Sequence, residues 1–130
     1  MSIPTGLWKG TTIHIRKTGV NCWMIETVSF EEGKRILDTC PGSILLDVRT
    51  EDEYAVGHAA GAKLLPLDEM EEADVMDILP DLSAPVLLYC RTGRRASLAA
   101  AKLDDLGYTK IYNLGGLNGW PYGMEYGVLP

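Results

Sequence analysis

The sequence predicts an α/β domain built on a mostly parallel sheet with helices on both faces. Three observations lead there. Short apolar runs recur at Ile44–Leu46, Lys63–Leu65, Val86–Tyr89 and Lys110–Leu114, and continuous apolar runs of that length suit strands buried on both faces. Helical patterns with their own start and stop residues alternate with these runs through short connections, which is the order of parallel crossover units. Finally, Val86-Leu87-Leu88-Tyr89-Cys90 is followed by Arg91-Thr92-Gly93-Arg94-Arg95 and then by an alanine-rich helical stretch. That arrangement of strand, loop and helix places a ligand site outside the carboxyl edge of an open α/β sheet.

Residues 1 to 23 differ from the rest. Thr11 to Lys17 alternates, with Ile13 and Ile15 on one side, and Gly6, Gly10 and Gly19 interrupt the stretch. The pattern suits a short strand or a tail with strand propensity. Residues 1–23 are therefore expected to be an N-terminal extension, free to be flexible, and 24–130 the domain. From Met24 onward Ile25 and Val28 are strand-like, and Ser29-Phe30-Glu31-Glu32 reads as a capping box opening a helix to about Asp38. Phe30, Gly33, Ile36 and Leu37 share one face of that helix, and Cys40-Pro41-Gly42 ends it.

Ile44 to Arg49 reads as a strand that finishes in a carboxylate and a guanidinium. Glu51 to Val56 makes a short helix closed by Gly57, and Gly57-His58-Ala59-Ala60-Gly61-Ala62 turns into the strand Lys63–Leu65, which Pro66 stops. From Asp68 to Asp81 seven acids and no base interleave with Met70, Val75, Met76, Ile78 and Leu79. The pattern predicts one amphipathic helix with a solvated acidic face; a docking surface for a basic partner is the sharper alternative. Pro80 to Pro85 is a loop. Ala96, Ala99, Ala100, Leu103 and Leu106 give the next helix a small inner face, and Gly107 supplies its stop. Lys110–Leu114 is the last strand, and a sharp turn runs from Gly115-Gly116 to Trp120-Pro121. Trp120, Tyr122 and Tyr126 are expected to cover a sheet face.

Composition narrows the function. A length of 130 residues suits one domain, and an apolar share of 46% is that of an ordinary globular chain. There is no apolar run of spanning length and no charged-then-apolar leader, so neither a membrane nor a secretory route is indicated, and the protein is expected to be cytoplasmic. The net charge is −6. It is unevenly spread: residues 1 to 23 hold Lys9, Arg16 and Lys17 and no acid, leaving nine bases against eighteen acids in the remainder. Bulk charge argues against nucleic acid, while three arginines in the loop after Cys90 argue for a small anion there. Cys22, Cys40 and Cys90 form no C-x-x-C and no metal-ligand spacing, so neither disulfides nor structural zinc are expected. Cys22 and Cys40, lacking a basic loop, read as inert thiols.

Cys90 is different. The helix that follows aims its unpaired N–H groups at the cysteine, and together with the arginines this favours negative charge. Cysteine's pKa, about 8.5 in reference peptides, falls to roughly 3.5 to 7.5 in such surroundings, so Cys90 is expected to be a thiolate at neutral pH.

These features come in a fixed order: Leu46-Asp47-Val48-Arg49 with Glu53-Tyr54, then Gly57-His58 with Gly61-Ala62 and Pro66, then the Cys90 loop, then Gly115-Gly116 to Trp120. Together they resemble a single rhodanese domain of the thiosulfate sulfurtransferase family, over roughly Val28 to Met124. The resemblance implies a five-stranded, mostly parallel sheet with flanking helices, and a Cys90 that carries sulfur as a persulfide within a substrate-binding loop of Arg91, Thr92, Gly93, Arg94 and Arg95. It implies a small anionic sulfur donor such as thiosulfate and, as acceptor, cyanide or a thiol, small or on a protein. It implies no metal and no organic cofactor. Asp47 and Arg49 are expected to brace the strand end, and His58 to take a structural hydrogen-bonding role rather than that of a base. Of the three loop arginines, the sequence does not say which meets substrate. The Ala59-Ala60 pair departs from the family, where a larger apolar residue and a proline are commoner, which bears on local packing and not on the chemistry.

Two other functions compete. Related phosphatases and arsenate reductases place arginine after a cysteine and five residues; here that position is Ala96, and the shorter loop suits a single sulfur better than a tetrahedral oxyanion. The other is a binding or regulatory module on the same fold, against which stands a cysteine flanked by cations.

Overall fold

The computed structural model describes residues 12–18 and 21–127. Among these residues the elements run β1 Thr12–Thr18, β2 Asn21–Thr27, α1 Phe30–Thr39, β3 Ile44–Asp47, α2 Glu51–Val56, β4 His58–Ala59, β5 Lys63–Leu64, α3 Glu72–Ile78, β6 Val86–Cys90, α4 Arg94–Asp105, β7 Lys110–Gly116 and β8 Met124–Glu125. The main sheet has the strand order β1-β2-β7-β6-β3-β5. Its last five strands are mutually parallel, as the alternation of strands and helices predicts, and β1 adds an antiparallel edge. β4 and β8 form a separate antiparallel pair.

Strand periodicity sorts the core onto two faces. Leu46 and Val48 of the β3 end and Val86, Leu88 and Cys90 of β6 point to the side of α3 and α4, where Val75, Ala99 and Leu103 meet them. Leu45, Leu87 and Tyr89 point to the other side, against Ile36 of α1, Leu114 and Trp120. Parallel strands need both faces covered, which is why β6 is buried along its whole length. The alanines of α4 let that helix lie close on the sheet: Ala96 and Ala99 are fully buried.

Local chemistry sets the helix starts. Ser29 Oγ accepts the Glu32 N–H at 3.1 Å, but the Glu32 carboxylate is taken by Arg35 one turn on, so only half of the predicted box closes. The complete box opens α2, where Thr50 Oγ1 accepts the Glu53 N–H at 3.3 Å and Glu53 Oε1 accepts the Thr50 N–H at 3.1 Å.

Two expectations change. The acidic stretch is not one helix: a 3-10 turn spans Leu67–Glu69 and α3 starts only at Glu72. Met70, with ψ at 65°, leaves helical geometry and its side chain is buried. Splitting the segment buries Met70 and spares a baseless helix its like-charge pairs at three- and four-residue spacing. Tyr126 covers no sheet face; it is 74% exposed, because after Tyr122 the chain turns away to pair β8 with β4. Of the two readings of the alternating N-terminal stretch, a short strand or a tail, the strand holds: β1 pairs with β2 from Thr12 opposite Thr27 to Thr18 opposite Asn21. The boundary expected at Met24 falls inside β2, whose residues Met24–Thr27 pair with β7. A second strand satisfies backbone groups that the edge of β2 leaves unpaired.

Candidate active site

β6 delivers Cys90 as its last residue, buried from solvent. The next three residues turn sharply, and Gly93 makes the turn possible: its φ of +97° lies where a Cβ would clash. In that conformation the Gly93 N–H donates to Cys90 Sγ at 2.8 Å. α4 begins at once. Its first backbone bond runs from the Ser97 N–H to the Gly93 carbonyl at 3.0 Å, so the N–H groups of Arg94, Arg95 and Ala96 have no acceptor within the helix and form its positive end. Arg91, Thr92 and Arg94 stand exposed around this turn.

The turn rests on β7. The pairing of β6 and β7 steps from Leu88 opposite Asn113 to Tyr89 opposite Gly115, so Leu114 is the extra residue of a bulge. The bulge sets Gly115 and Gly116 beside Tyr89 and Cys90. A Cβ on Gly116 would stand 2.6 Å from the Arg91 carbonyl oxygen, and one on Gly93 would stand 3.4 Å from the Gly115 Cα. The Leu117 N–H closes the assembly by donating to the Cys90 carbonyl at 3.0 Å.

The three arginines part company. Arg95 turns away from the cysteine and clamps Glu53 of α2 through two bonds of 2.7 and 2.9 Å. Beside that guanidinium, and with the Thr50 cap contributing, the Glu53 carboxyl is held down at about 2, and the same pair raises Arg95. Arg91 and Arg94 form no ion pair among the described residues. Their guanidinium groups stand exposed at the turn, and Arg95 is a brace.

Asp47, Arg49 and His58 are not brought to Cys90. Asp47 is fully buried and accepts from the Arg49 backbone N–H at 2.9 Å, from Arg49 Nε at 3.0 Å and Nη2 at 2.7 Å, and from the Tyr89 hydroxyl at 2.6 Å. Arg49 Nη2 also donates to the Gly57 carbonyl at 2.6 Å, tying the end of β3 to the end of α2. Burial, and then the Asp47 carboxylate at its hydroxyl, push Tyr89 strongly up, so it stays a phenol and accepts the Ala59 N–H at 3.0 Å. His58 Nδ1 donates to the Tyr54 carbonyl at 2.8 Å, its ring stacks on Tyr54 at 3.6 Å, and its Nε2 lies 3.5 Å from Glu125. Cys40 packs on the α1 face of the sheet, opposite to Cys90. The side chain of Cys22 lies outside the described residues.

Two participants were not among the predicted site residues. Glu53 had a signal, because Thr50-x-x-Glu53 ahead of a helix is a capping box. So did Tyr89, whose hydroxyl ends an otherwise aliphatic run and must find a partner once buried.

A buried cysteine at a parallel strand's carboxyl end, held by a glycine turn and a helix start, defines the class. The rhodanese-like domain family matches residues 29–121, and the chain belongs to that family. Thiosulfate sulfurtransferase PspE of Escherichia coli is 38% identical over 72 residues, 55% of this chain and 68% of PspE. The thiosulfate:glutathione sulfurtransferase of Saccharomyces cerevisiae is 29% identical over 126 residues, 87% of each chain. Among solved structures, a rhodanese with anions from E. coli superposes with a TM-score of 0.60 at 33% identity, over 65% of this chain and 99% of that one.

Proposed function

We propose that the protein is a thiosulfate sulfurtransferase whose Cys90 carries the transferred sulfur as a persulfide. Family membership and relatives named as thiosulfate sulfurtransferases support sulfurtransferase activity. The observation that carries the residue assignment is the Gly93 N–H, 2.8 Å from Cys90 Sγ at the start of α4.

Arg91 and Arg94 draw the anionic donor to the rim. The Cys90 thiolate attacks the outer sulfur of thiosulfate, the new S–S bond forms at Sγ, and the donor's S–S bond breaks with its electron pair leaving on sulfite. The backbone N–H groups of the turn and of the helix start then face the terminal sulfur and stabilise its negative charge. In the second half an acceptor, cyanide or the thiolate of a small molecule or protein, attacks that terminal sulfur, and the Cys90 thiolate leaves. Neither step needs a proton at Cys90, which fits a His58 held by the Tyr54 carbonyl and stacked on the Tyr54 ring. A phosphatase-type reading is disfavoured by one observation: where a cysteine and five residues would place the oxyanion-clamping arginine stands Ala96, fully buried in the core.

The test is the intact mass of the protein after thiosulfate treatment, with sulfur transfer to cyanide measured alongside. The expected result is the gain of one sulfur atom, absent in Cys90→Ser and retained in Cys22→Ser and Cys40→Ser. Full transfer by Cys90→Ser, or efficient hydrolysis of an aryl phosphate with no mass gain from thiosulfate, would sink the assignment.

A further inference from the structure

We infer that Asn113 and Ser97 are positioning residues for the Cys90 cradle, coupling the Gly115–Gly116 floor to Gly93 through three side-chain hydrogen bonds. The inference rests on Cys90 being the sulfur carrier. Asn113 is buried in β7 immediately before the bulge. Its Oδ1 accepts the Gly115 N–H at 2.7 Å, its Nδ2 donates to Ser97 Oγ at 3.2 Å, and the Ser97 hydroxyl donates to the Gly93 carbonyl at 3.1 Å.

The direction of this chain is fixed chemically. A backbone N–H can only donate and a carbonyl can only accept, so the amide of Asn113 has one usable orientation and the Ser97 hydroxyl one usable rotamer for its hydrogen. Both ends of the chain are parts of the cradle. Gly115 lies under Gly93, and Gly93 is the residue whose own N–H meets Cys90 Sγ. Gly93 sits between a strand it does not belong to and a helix that begins after it, in a conformation that other residues avoid. The Ser97 N–H ties the Gly93 carbonyl to α4, and the Ser97 hydroxyl with Asn113 adds a direct tie from the same carbonyl to β7.

Ser97 is exposed, so Ser97→Ala removes the link without touching the core. A misplacement of about 1 Å near a reacting atom costs on the order of a hundredfold in rate, and a partial release of Gly93 is expected to lower kcat for thiosulfate-to-thiol transfer about tenfold. KM for thiosulfate should hold, since the rim arginines are unchanged. Ser97→Thr keeps the hydroxyl and should restore kcat. Asn113→Asp keeps the acceptor for Gly115 but loses the donor to Ser97, and should reproduce the Ser97→Ala defect. If that variant does not fold, the Ser97 pair decides. Hydrogen exchange of the Gly93 amide reads the cradle directly, and its protection should fall in Ser97→Ala and return in Ser97→Thr. A wild-type kcat in Ser97→Ala, or a loss that Ser97→Thr does not rescue, overturns the inference. Should the unmodified protein take up no sulfur, the sulfurtransferase reading fails by itself, and protection of the Gly93 amide in the same variants still decides whether the link positions the turn.

Discussion

Gly116 lacks a side chain for a reason unrelated to backbone freedom: the carbonyl of Arg91 occupies the place where a Cβ would stand, 2.6 Å away. Contacts that close essentially never occur, and the opposing atom belongs to the backbone that carries the cradle. Gly116→Ala therefore has two outcomes open to it: β7 yields, or the turn from Arg91 to Gly93 lifts. The turn is held by fewer bonds than the strand, so it should be the part that moves. A lift of about 1 Å predicts a drop in sulfur transfer on the order of a hundredfold, with cooperative unfolding retained. Wild-type turnover in Gly116→Ala would show that the floor does not set the cradle. Tyr89 and Asp47 show the same economy of contact: one hydroxyl serves the carboxylate and the Ala59 N–H together, binding the Gly57–Ala62 turn to the strand next to the cysteine.

Among elements, α2 matters beyond its six residues because its Glu53 caps its own start and clamps Arg95 at the start of α4. Its carboxyl, ordinarily near 4.5, is held down at about 2. A lowered folded-state value means that the charged form stabilises the fold above the unfolded-state pKa, and that this contribution fades as pH falls through the folded-state value. Glu53→Gln should thus melt lower than the unmodified protein above about pH 4.5, by an amount on the order of 1 kcal/mol for a partly solvated pair, and the two should converge toward pH 2. Thermal melts across that window check it; a gap that stays constant with pH would deny the clamp its ionic part. The cradle itself is an element whose length matters. Inserting a glycine after Gly93 adds one residue to the ring of N–H donors and shifts an arginine into the phosphatase-like position. Donors displaced by about 1 Å should cost on the order of a hundredfold in sulfur transfer, and weak aryl phosphate hydrolysis is the gain to look for. Unchanged sulfur transfer in the insertion variant would mean that the ring does not define the site.

At the scale of the whole molecule, the site stands where β6 ends between two buried faces, and the β1–β2 hairpin stands at the far edge, with β7 between β2 and β6. A chain beginning at Met24 keeps the four β2 residues that pair with β7 and loses β1. It is expected to unfold cooperatively and to accept sulfur on Cys90, while the bared edge of β2 raises its tendency to associate at high concentration. Calorimetry and light scattering on that chain test both parts. Loss of cooperative unfolding would make the hairpin integral to the domain.

Features that depend on neighbours along the chain are legible in the residues alone. Apolar runs at strand length announced the parallel sheet, Gly93 and the alanines of α4 announced the turn and its helix, and the order of motifs from Asp47 to Trp120 announced the family. Those signals are local, so they survive without coordinates. Features that depend on groups distant in sequence emerge only in the fold. Glu53 and Arg95 are 42 positions apart, as are Asp47 and Tyr89, and no periodicity marks such pairs. Which arginine braces and which ones face solvent followed from where α2 lies against α4. The bulge at Leu114, and with it the glycine floor beneath Cys90, followed from β7 having to accommodate one more residue than β6. The residue types were legible because chemistry selects them; their partners were not, because partnership is fixed only when the sheet brings strand ends and helix starts to one place.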